Sequence, residues 1–362
     1  MRIFFILILS LLLTASTLMS SAPNTTKELS IFMDKVALQN AQDMFGTALD
    51  LYYANKTDEM IREYKRLISE FGNSTNEEIK VMIAQSMFNL ALGYKKKNDI
   101  KAEKKLYEQI ILNFVDSSDK DIEFITANSL FNQGAIAYDM NDTKGEIEIY
   151  QKFLDEFKNT NNENIITLKA SAMAILGHIY SATNDKDRAI DIYNDLIRKF
   201  ENSQDEYVQN LVVGSFLNLG VNYIDLGNPK EGLSLYKEII ERFKNSTNPY
   251  VVETVGAAVT NKIEFEICND IKPSFSDENE ELADKSEYSI FMYEFLQILY
   301  AATKEQQAER LDLWRNKYSY FNLKDPNIDF DFSHLNRLVE RLESPKKDWV
   351  KECLDALKKF AE

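Results

Sequence analysis

The feature of this sequence that most constrains its fold is a repeat of 43 residues. Tyrosine recurs at this spacing, and phenylalanine recurs at the same spacing seven residues further on. A fixed period of this size is typical of arrays in which each unit buries its apolar face against its neighbours. We therefore expect the two columns to form the repeat core: Tyr64, Tyr107, Tyr150, Tyr193, Tyr236, Phe71, Phe114, Phe157, Phe200 and Phe243.

Each Tyr-to-Phe block predicts an amphipathic helix, which we call the second helix of its unit. In the first block the apolar residues are Tyr64, Leu67, Ile68 and Phe71, and their spacing places them on one stripe of a helix. Charged residues fill most of the other face. Only 11 Gly and 6 Pro occur in 362 residues, which disfavours sheets joined by tight turns. The sequence therefore predicts an all-α fold.

A first helix precedes the second helix in each unit and carries a column of small residues that permits close helix packing: Ala91, Gly134, Gly177 and Gly220. The two helices are joined by a turn whose residues tolerate the left-handed conformation: Asn98, Asn141, Asn184 and Gly227. Ser74, with Glu77 three residues later, predicts a capping box at the start of the next first helix.

These residues resemble the tetratricopeptide repeat family over about residues 44–268. Leu176, Gly177 and Tyr180, followed by Ala189 and Tyr193, match its two-helix motif, and the next unit repeats the match. The period is 43 residues rather than the family's about 34, and the family's proline after the second helix is missing, so the chain looks like a long-period variant. The resemblance implies a right-handed α-solenoid of helix-turn-helix repeats with a C-terminal helical segment.

The resemblance also implies a function, which is to bind a protein or peptide partner in a concave groove lined by the first helices. Registration against the family gives the groove-facing positions: Gln85, Phe88, Asn128, Phe131, Tyr138, Ala174, His178, Leu217 and Val221. A further first-helix column contains Asn89, Asn132 and Asn218. Two interpretations stay open for it, a clamp for a peptide carboxylate or a tie between neighbouring helices. The lysines that accompany the family's clamp are absent.

The N-terminus predicts export. Arg2 is followed by an apolar run over residues 3–13 and by small residues up to Ala22, as in a signal peptide. We expect a signal peptide at 1–22, a lead-in at 23–40 and five repeats at 41–268, with the protein periplasmic or secreted and without a membrane span after signal removal. The alternative is an uncleaved N-terminal membrane anchor, because the apolar stretch reaches Met19.

The composition changes near residue 270. Residues 269–285 are acidic and contain Pro273, so we expect an exposed loop or linker there. Apolar-periodic runs in residues 286–362 predict several helices, which either cap the solenoid or form a small domain around four large aromatic residues: Trp314, Phe321, Phe330 and Trp349.

Little in the sequence points to catalysis, a metal or a cofactor. The chain has two histidines, two cysteines and none of the common nucleophile or phosphate-binding motifs. Asp325, Asp329 and Asp331 lack the glycine and terminal glutamate of a calcium loop. The net charge of −16 argues against nucleic acid and anionic membranes as partners.

We therefore expect an exported scaffold, without enzymatic activity, that binds a protein or peptide. Two alternatives remain. The first is an enzyme whose C-terminal helical domain acts, through acids such as Asp329 or Asp331, on substrates recruited by the repeats. The second is a structural envelope protein that self-associates into a homo-oligomer through its terminal helices.

Overall fold

The computed structural model describes residues 23–269, 271–300 and 304–317, together with three isolated helical positions beyond them. Within these residues the chain forms α-helices and no strand. The predicted all-α fold of helix-turn-helix repeats is confirmed. The helices are α1 Pro23–Tyr53, α2 Thr57–Phe71, α3 Glu77–Lys96, α4 Ile100–Phe114, α5 Lys120–Asp139, α6 Thr143–Glu156, α7 Glu163–Ala182, α8 Lys186–Phe200, α9 Glu206–Asp225, α10 Pro229–Phe243, α11 Pro249–Cys268, α12 Asp277–Asp284, α13 Glu287–Leu299 and α14 Lys304–Lys317.

The 43-residue period of the sequence is also the period of the helices. The first helices α3, α5, α7, α9 and α11 each contain 20 residues and begin 43 residues apart. The second helices α2, α4, α6, α8 and α10 contain 14 or 15 residues and begin at the same interval. The predicted lead-in at 23–40 is helical and continuous with the first helix of the array, since α1 runs for 31 residues.

The turn between the two helices of each unit has a left-handed residue at the same register, as predicted. Its φ angle is between 55° and 63° at four asparagines and 79° at a glycine: Asn55, Asn98, Asn141, Asn184 and Gly227. The residue after it caps the second helix in three units, where a carboxylate accepts from the backbone N–H three residues on: Asp99, Asp142 and Asp185. One short turn thus ends one helix and starts the next.

The start of the first helices differs in detail from the prediction. Asn76, and not Ser74, is the capping residue of α3, and its side chain accepts from the N–H of Ile79. The Ser74 hydroxyl accepts from the N–H of Asn76 at 3.2 Å instead. Ser74 lies two residues too early to reach the free amides of the helix. The amide or carboxylate at the capping register accepts a nearby backbone N–H in every repeat: Asn76, Asp119, Asn162, Asp205 and Asn248.

The chain divides into two compact units, residues 1–169 and 170–362, with the boundary inside α7 and therefore inside the predicted array. In the first unit α1 to α6 pack in chain order, and the first helix α3 also contacts the first helices α1 and α5. The second helices α2 and α4 are each thereby held between two first helices. The inter-repeat loop is tied back as well, because the Asn162 amide donates to the Lys120 carbonyl at 3.0 Å.

In the second unit α8 to α11 pack in chain order and α9 also contacts α11. The C-terminal segment then covers the last first helix, since α12 and α13 both pack on α11 and α14 packs on α13. Trp314 of α14 is buried with its ring 4.4 Å from that of Phe291 on α13. Phe321, Phe330 and Trp349 lie outside the described residues.

The segment predicted to be an acidic loop contains the helix α12. Ser276 caps it by accepting from the N–H of Asn279, and three acids stand in its first turn, where the helix dipole favours negative charge. Leu282 and Ala283 are buried at its end. The acidic residues therefore stand at the start of a helix, in the middle of the segment that we expected to be a loop.

One helix among the described residues, α7, is long and apolar enough by composition to cross a membrane. Half of its apolar window is buried inside the protein, as expected of a core helix that passes the same test.

Candidate binding face of the repeat array

The core tyrosines determine which face of each first helix remains available. All five lie on second helices and are at most 2% exposed. Three glycines of the first helices lie directly against them: a Cβ added to Gly134, Gly177 or Gly220 would come within 2.6 Å of a ring atom. Of the five phenylalanines, Phe157 and Phe200 are buried, whereas Phe71, Phe114 and Phe243 are half-buried. The predicted groove positions lie on the same first helices, beside the residues that contact the tyrosines.

In the first unit two of these positions carry polar side chains paired along their own helix. The Gln85 amide donates to the Asn89 side chain at 3.1 Å. The Asn132 amide donates to the backbone and side-chain oxygens of Asn128, at 2.9 and 3.0 Å. Gln85 and Asn128 stand 43 residues apart and are both half-buried. The two helices therefore each have a pair of hydrogen-bonded amide side chains at the same two registers, with the direction of donation reversed.

Phe88 and Phe131 are shared between this face and the core. The Phe88 ring lies 5.7 Å from that of Tyr107, and the Phe131 ring lies 5.1 Å from that of Tyr150. Both phenylalanines are half-buried. Each phenylalanine therefore packs on a core tyrosine and exposes only part of its own ring.

In the second unit the predicted positions are less polar. Ala174, Leu217 and Val221 are half-buried, and His178 is exposed. Leu217 stands in the Phe88–Phe131 column and Val221 stands one repeat after His178. The predicted positions are thus aromatic and amide in the first unit, and aliphatic apart from His178 in the second.

Part of the asparagine column connects neighbouring helices. Asn89 of α3 donates to the hydroxyl of Tyr64 on α2 at 2.9 Å. Burial raises the pKa of Tyr193, and the adjacent Asn218 partly opposes this by stabilising the ionised form. Asn261 acts in the same way on Tyr236. The Asn89 contact supports a tie between neighbouring helices for that residue, whereas Asn132 pairs with Asn128 within its own helix.

Tyr138, the remaining predicted position, has a different setting. It is 69% exposed and stands at the end of α5, where it lines a cavity of about 320 Å³ at the turn into α6. The other lining residues are Asp139, Asn141, Thr143 and Glu146. Only 5% of Glu146 is exposed. This cavity combines an accessible aromatic ring with a buried carboxyl group.

Sequence reasoning missed the buried carboxyl groups. Glu103 and Glu146 are 3% and 5% exposed, and burial raises the pKa of both carboxyls. They stand at the register where later repeats have the small residues Ala189 and Gly232. A glutamate in place of a small residue at this register, in two of the repeats, was the sequence signal for these groups, since charged residues are rarely found at core positions.

No group of His, Cys, Asp and Glu with the arrangement of a metal site occurs among the described residues. Asp325, Asp329 and Asp331 lie outside them.

Comparison with solved structures finds helical proteins of low sequence identity. The apo form of RapI has 14% identity and a TM-score of 0.45, over 88% of this chain and 99% of that one. The apo form of the quorum sensor NprR from B. thuringiensis has 10% identity and a TM-score of 0.42, over 90% and 83%. NprR in complex with its cognate peptide NprX has 10% identity and a TM-score of 0.34, over 88% and 98%.

Family models locate the repeats more directly. None of the curated proteins matches the chain. Two family models described as tetratricopeptide repeat match residues 170–198 and 215–246. The first matched segment contains Gly177 against Tyr193, and the second contains Gly220 against Tyr236. The chain therefore contains tetratricopeptide repeats, at residues 170–198 and 215–246.

Proposed function

We propose that this protein is an exported scaffold that binds a protein or peptide through the exposed faces of its first helices. The observation that carries the proposal is the column of half-buried amides and apolar side chains on successive first helices, such as Gln85 and Asn128 in the first unit. Half-buried apolar groups with a polar surround are typical of surfaces on which a helix or extended peptide docks. Export rests on the sequence of residues 1–22.

The structure changes which substitutions can test this proposal. Replacing Phe88 or Phe131 with alanine would remove rings that pack on Tyr107 and Tyr150, so lost binding would be confounded with lost stability. Among the described residues, the side-chain hydrogen bonds of Gln85 and Asn128 stay within their own helices. They are the better probes of the face.

The test begins with a photo-crosslinking amino acid at position 85 or 128 of the full chain, expressed in its native cell. Mass spectrometry of the adducts identifies the partner. The purified partner is then titrated against Gln85→Arg and Asn128→Arg, for which we expect at least a tenfold loss of affinity. The matched control is Gln109→Arg on the exposed side of α4, which should bind within twofold of the parent. Equal loss at position 109, or no loss at 85 and 128, would refute the assignment of the face.

A second candidate function is self-association, and one observation favours it. The N-terminal half of α1 exposes a set of large apolar side chains, a pattern that monomeric proteins seldom leave uncovered: Leu29, Ile31, Phe32, Met33 and Val36. Light scattering on the full chain separates the two candidates. A strict monomer, with a partner bound at positions 85 and 128, excludes a purely self-associating protein.

A further inference from the structure

The turn between α5 and α6 lacks a lysine at two positions where another repeat has one, and its own Lys144 pairs with Glu148 at 3.6 Å. Its cavity of about 320 Å³ is lined by Tyr138, Asp139, Asn141, Thr143 and Glu146. Two of these residues are acidic, and α5 has no basic residue in its last turn. The C-terminus of a helix is itself a region of partial negative charge. The two carboxylates and the C-terminus of α5 therefore give this cavity a negative electrostatic potential.

Glu146 is the first of the two acids without a cation. It is 95% buried, being only 5% exposed. Among the residues that the structure describes, neither a hydrogen-bond donor nor a cation contacts its carboxyl group, and burial alone accounts for its raised pKa. An ionisable group at this depth is costly unless it is paired. The carboxyl group faces a cavity large enough to admit a partner.

The preceding repeat shows what such a partner looks like. Glu103 occupies the same register as Glu146, and Lys95 lies close enough to favour its ionised form. Lys95 ends α3 in the position at which Tyr138 ends α5. The substitution of tyrosine for lysine thus removes the cation and leaves an aromatic ring at the mouth of the cavity.

Asp139 is the second acid without a cation. Its counterpart two repeats later, Asp225, forms an ion pair with Lys186 at 3.0 Å. The residue in the register of Lys186 that would serve Asp139 is Ile100. Within the described part of the chain no cation contacts Asp139. Both acids of this turn therefore face residues that cannot neutralise them, although the repeat supplies a lysine in each case elsewhere.

We propose that this cavity binds the ammonium or guanidinium group of a lysine or arginine side chain from the protein or peptide partner. The proposal rests on the function proposed above, and it names one chemical feature of that partner. The cation pairs with the carboxylates of Glu146 and Asp139, and its alkyl stem lies against the exposed ring of Tyr138. Cation–π attraction and burial of the stem both favour a side chain of this type over an isolated inorganic ion.

The test measures binding of short capped probes to the isotopically labelled full chain by NMR. The probes are pentapeptides of four glycines with a central lysine, arginine or norleucine, together with n-butylammonium as a free amine. We expect the lysine or arginine peptide to shift the backbone amides of residues 138–146 and the norleucine peptide to shift none of them. Equal binding of norleucine would overturn the proposal. Binding of n-butylammonium without binding of either cationic peptide would also overturn it, because the occupant would then be a free amine.

Two variants give the matched comparison. Glu146→Gln keeps the shape of the side chain, and we expect at least a fivefold loss of affinity for the cationic peptide. Glu156→Gln removes an exposed carboxyl at the far end of α6 and should leave the affinity within twofold. Retained affinity in Glu146→Gln, with shifts still at residues 138–146, would overturn the assignment.

A third variant, Tyr138→Lys, places a lysine where the preceding repeat has one. If Glu146 and Asp139 require a cation, this variant should no longer bind the cationic peptide. It should also unfold at a higher temperature at pH 7, and a lower unfolding temperature with retained binding counts against the proposal.

The two proposals fail in distinguishable ways. An identified partner that binds Glu146→Gln as tightly as the parent refutes the cation site only, whereas peptide binding at this site without any partner at positions 85 and 128 refutes the scaffold face only.

Discussion

The close contact between α11 and α13 gives the sharpest prediction. Gly256 of α11 lies against Ser289 of α13, and a Cβ added to Gly256 would lie 2.3 Å from the Ser289 Oγ and 2.6 Å from its Cβ. Both distances are well inside van der Waals contact, and Ser289 is fully buried. The variant Gly256→Ala must therefore push the two helices apart.

The magnitude follows from two opposing terms. Overpacking a tightly packed contact costs about 1–3 kcal/mol. Replacing glycine by alanine inside a helix contributes about 1 kcal/mol in the opposite direction. Gly46, in the middle of α1, has no atom within 4 Å of its added Cβ, so Gly46→Ala experiences the second term alone. The difference between the two variants isolates the overpacking term, because helix propensity is common to both.

Urea unfolding followed by circular dichroism measures both free energies of unfolding. Tryptophan fluorescence reports on the C-terminal segment in the same samples, since both tryptophans of the chain lie there and Trp314 packs on α13. We expect Gly46→Ala to be more stable than the parent and Gly256→Ala to be less stable than Gly46→Ala by about 1–3 kcal/mol. Adding Ser289→Gly to Gly256→Ala should recover most of the loss, because the second change removes the clashing atoms. Equal stabilisation by both alanine variants would refute the close approach.

Three further outcomes are expected. Asn184 has a φ of 63°, so Asn184→Ala should lose about 1 kcal/mol on thermal unfolding, whereas Asn184→Gly should match or exceed the parent; equal losses would contradict the left-handed turn. Asn76→Ala should lose about 1 kcal/mol of stability and Glu77→Ala much less, because Asn76 caps α3; the reverse order would restore the capping box centred on Ser74. Burial raises the pKa of Tyr193 and Tyr236 above the usual 10.0. Because the unfolded chain then loses its phenolic protons first, stability should be unaffected below about pH 10 and fall above it. Exposed tyrosines such as Tyr138 should ionise while the helices are intact, whereas the remaining tyrosinate absorbance should rise only together with loss of circular dichroism. Complete ionisation in intact helices would contradict this.

The periodic part of the fold was predictable from sequence because each unit packs the same kinds of residue at the same positions. The Tyr column, the small residues against it and the left-handed turn all follow from one register, and the structure agrees with each. A single repeat would not have distinguished Ser74 from Asn76 as the capping residue. Comparison down the column would have done so, since all five repeats have Asn or Asp at the capping register.

The candidate site was less predictable because its features depend on contacts between residues far apart in sequence. Family registration placed Phe88 and Phe131 on the binding face, yet their packing on Tyr107 and Tyr150 could not be deduced from spacing on one helix. The buried state of Glu146 likewise depends on the packing of α5 against α6. Composition suggested an exposed loop at 269–285, where burial of Leu282 and Ala283 against α11 and α13 requires a helix.

The glycine at position 256 also bears on how a chain of this kind can grow. The four preceding repeats have Ala84, Ala127, Ala170 and Val213 at the same register. Gly256 departs from them where α13 lies closest. A duplicated repeat appended after α11 would therefore inherit a first helix shaped for the C-terminal segment and not for another unit. A unit added upstream of α11 would leave the contact between Gly256 and Ser289 intact, so the array could lengthen there without a change in its covering segment.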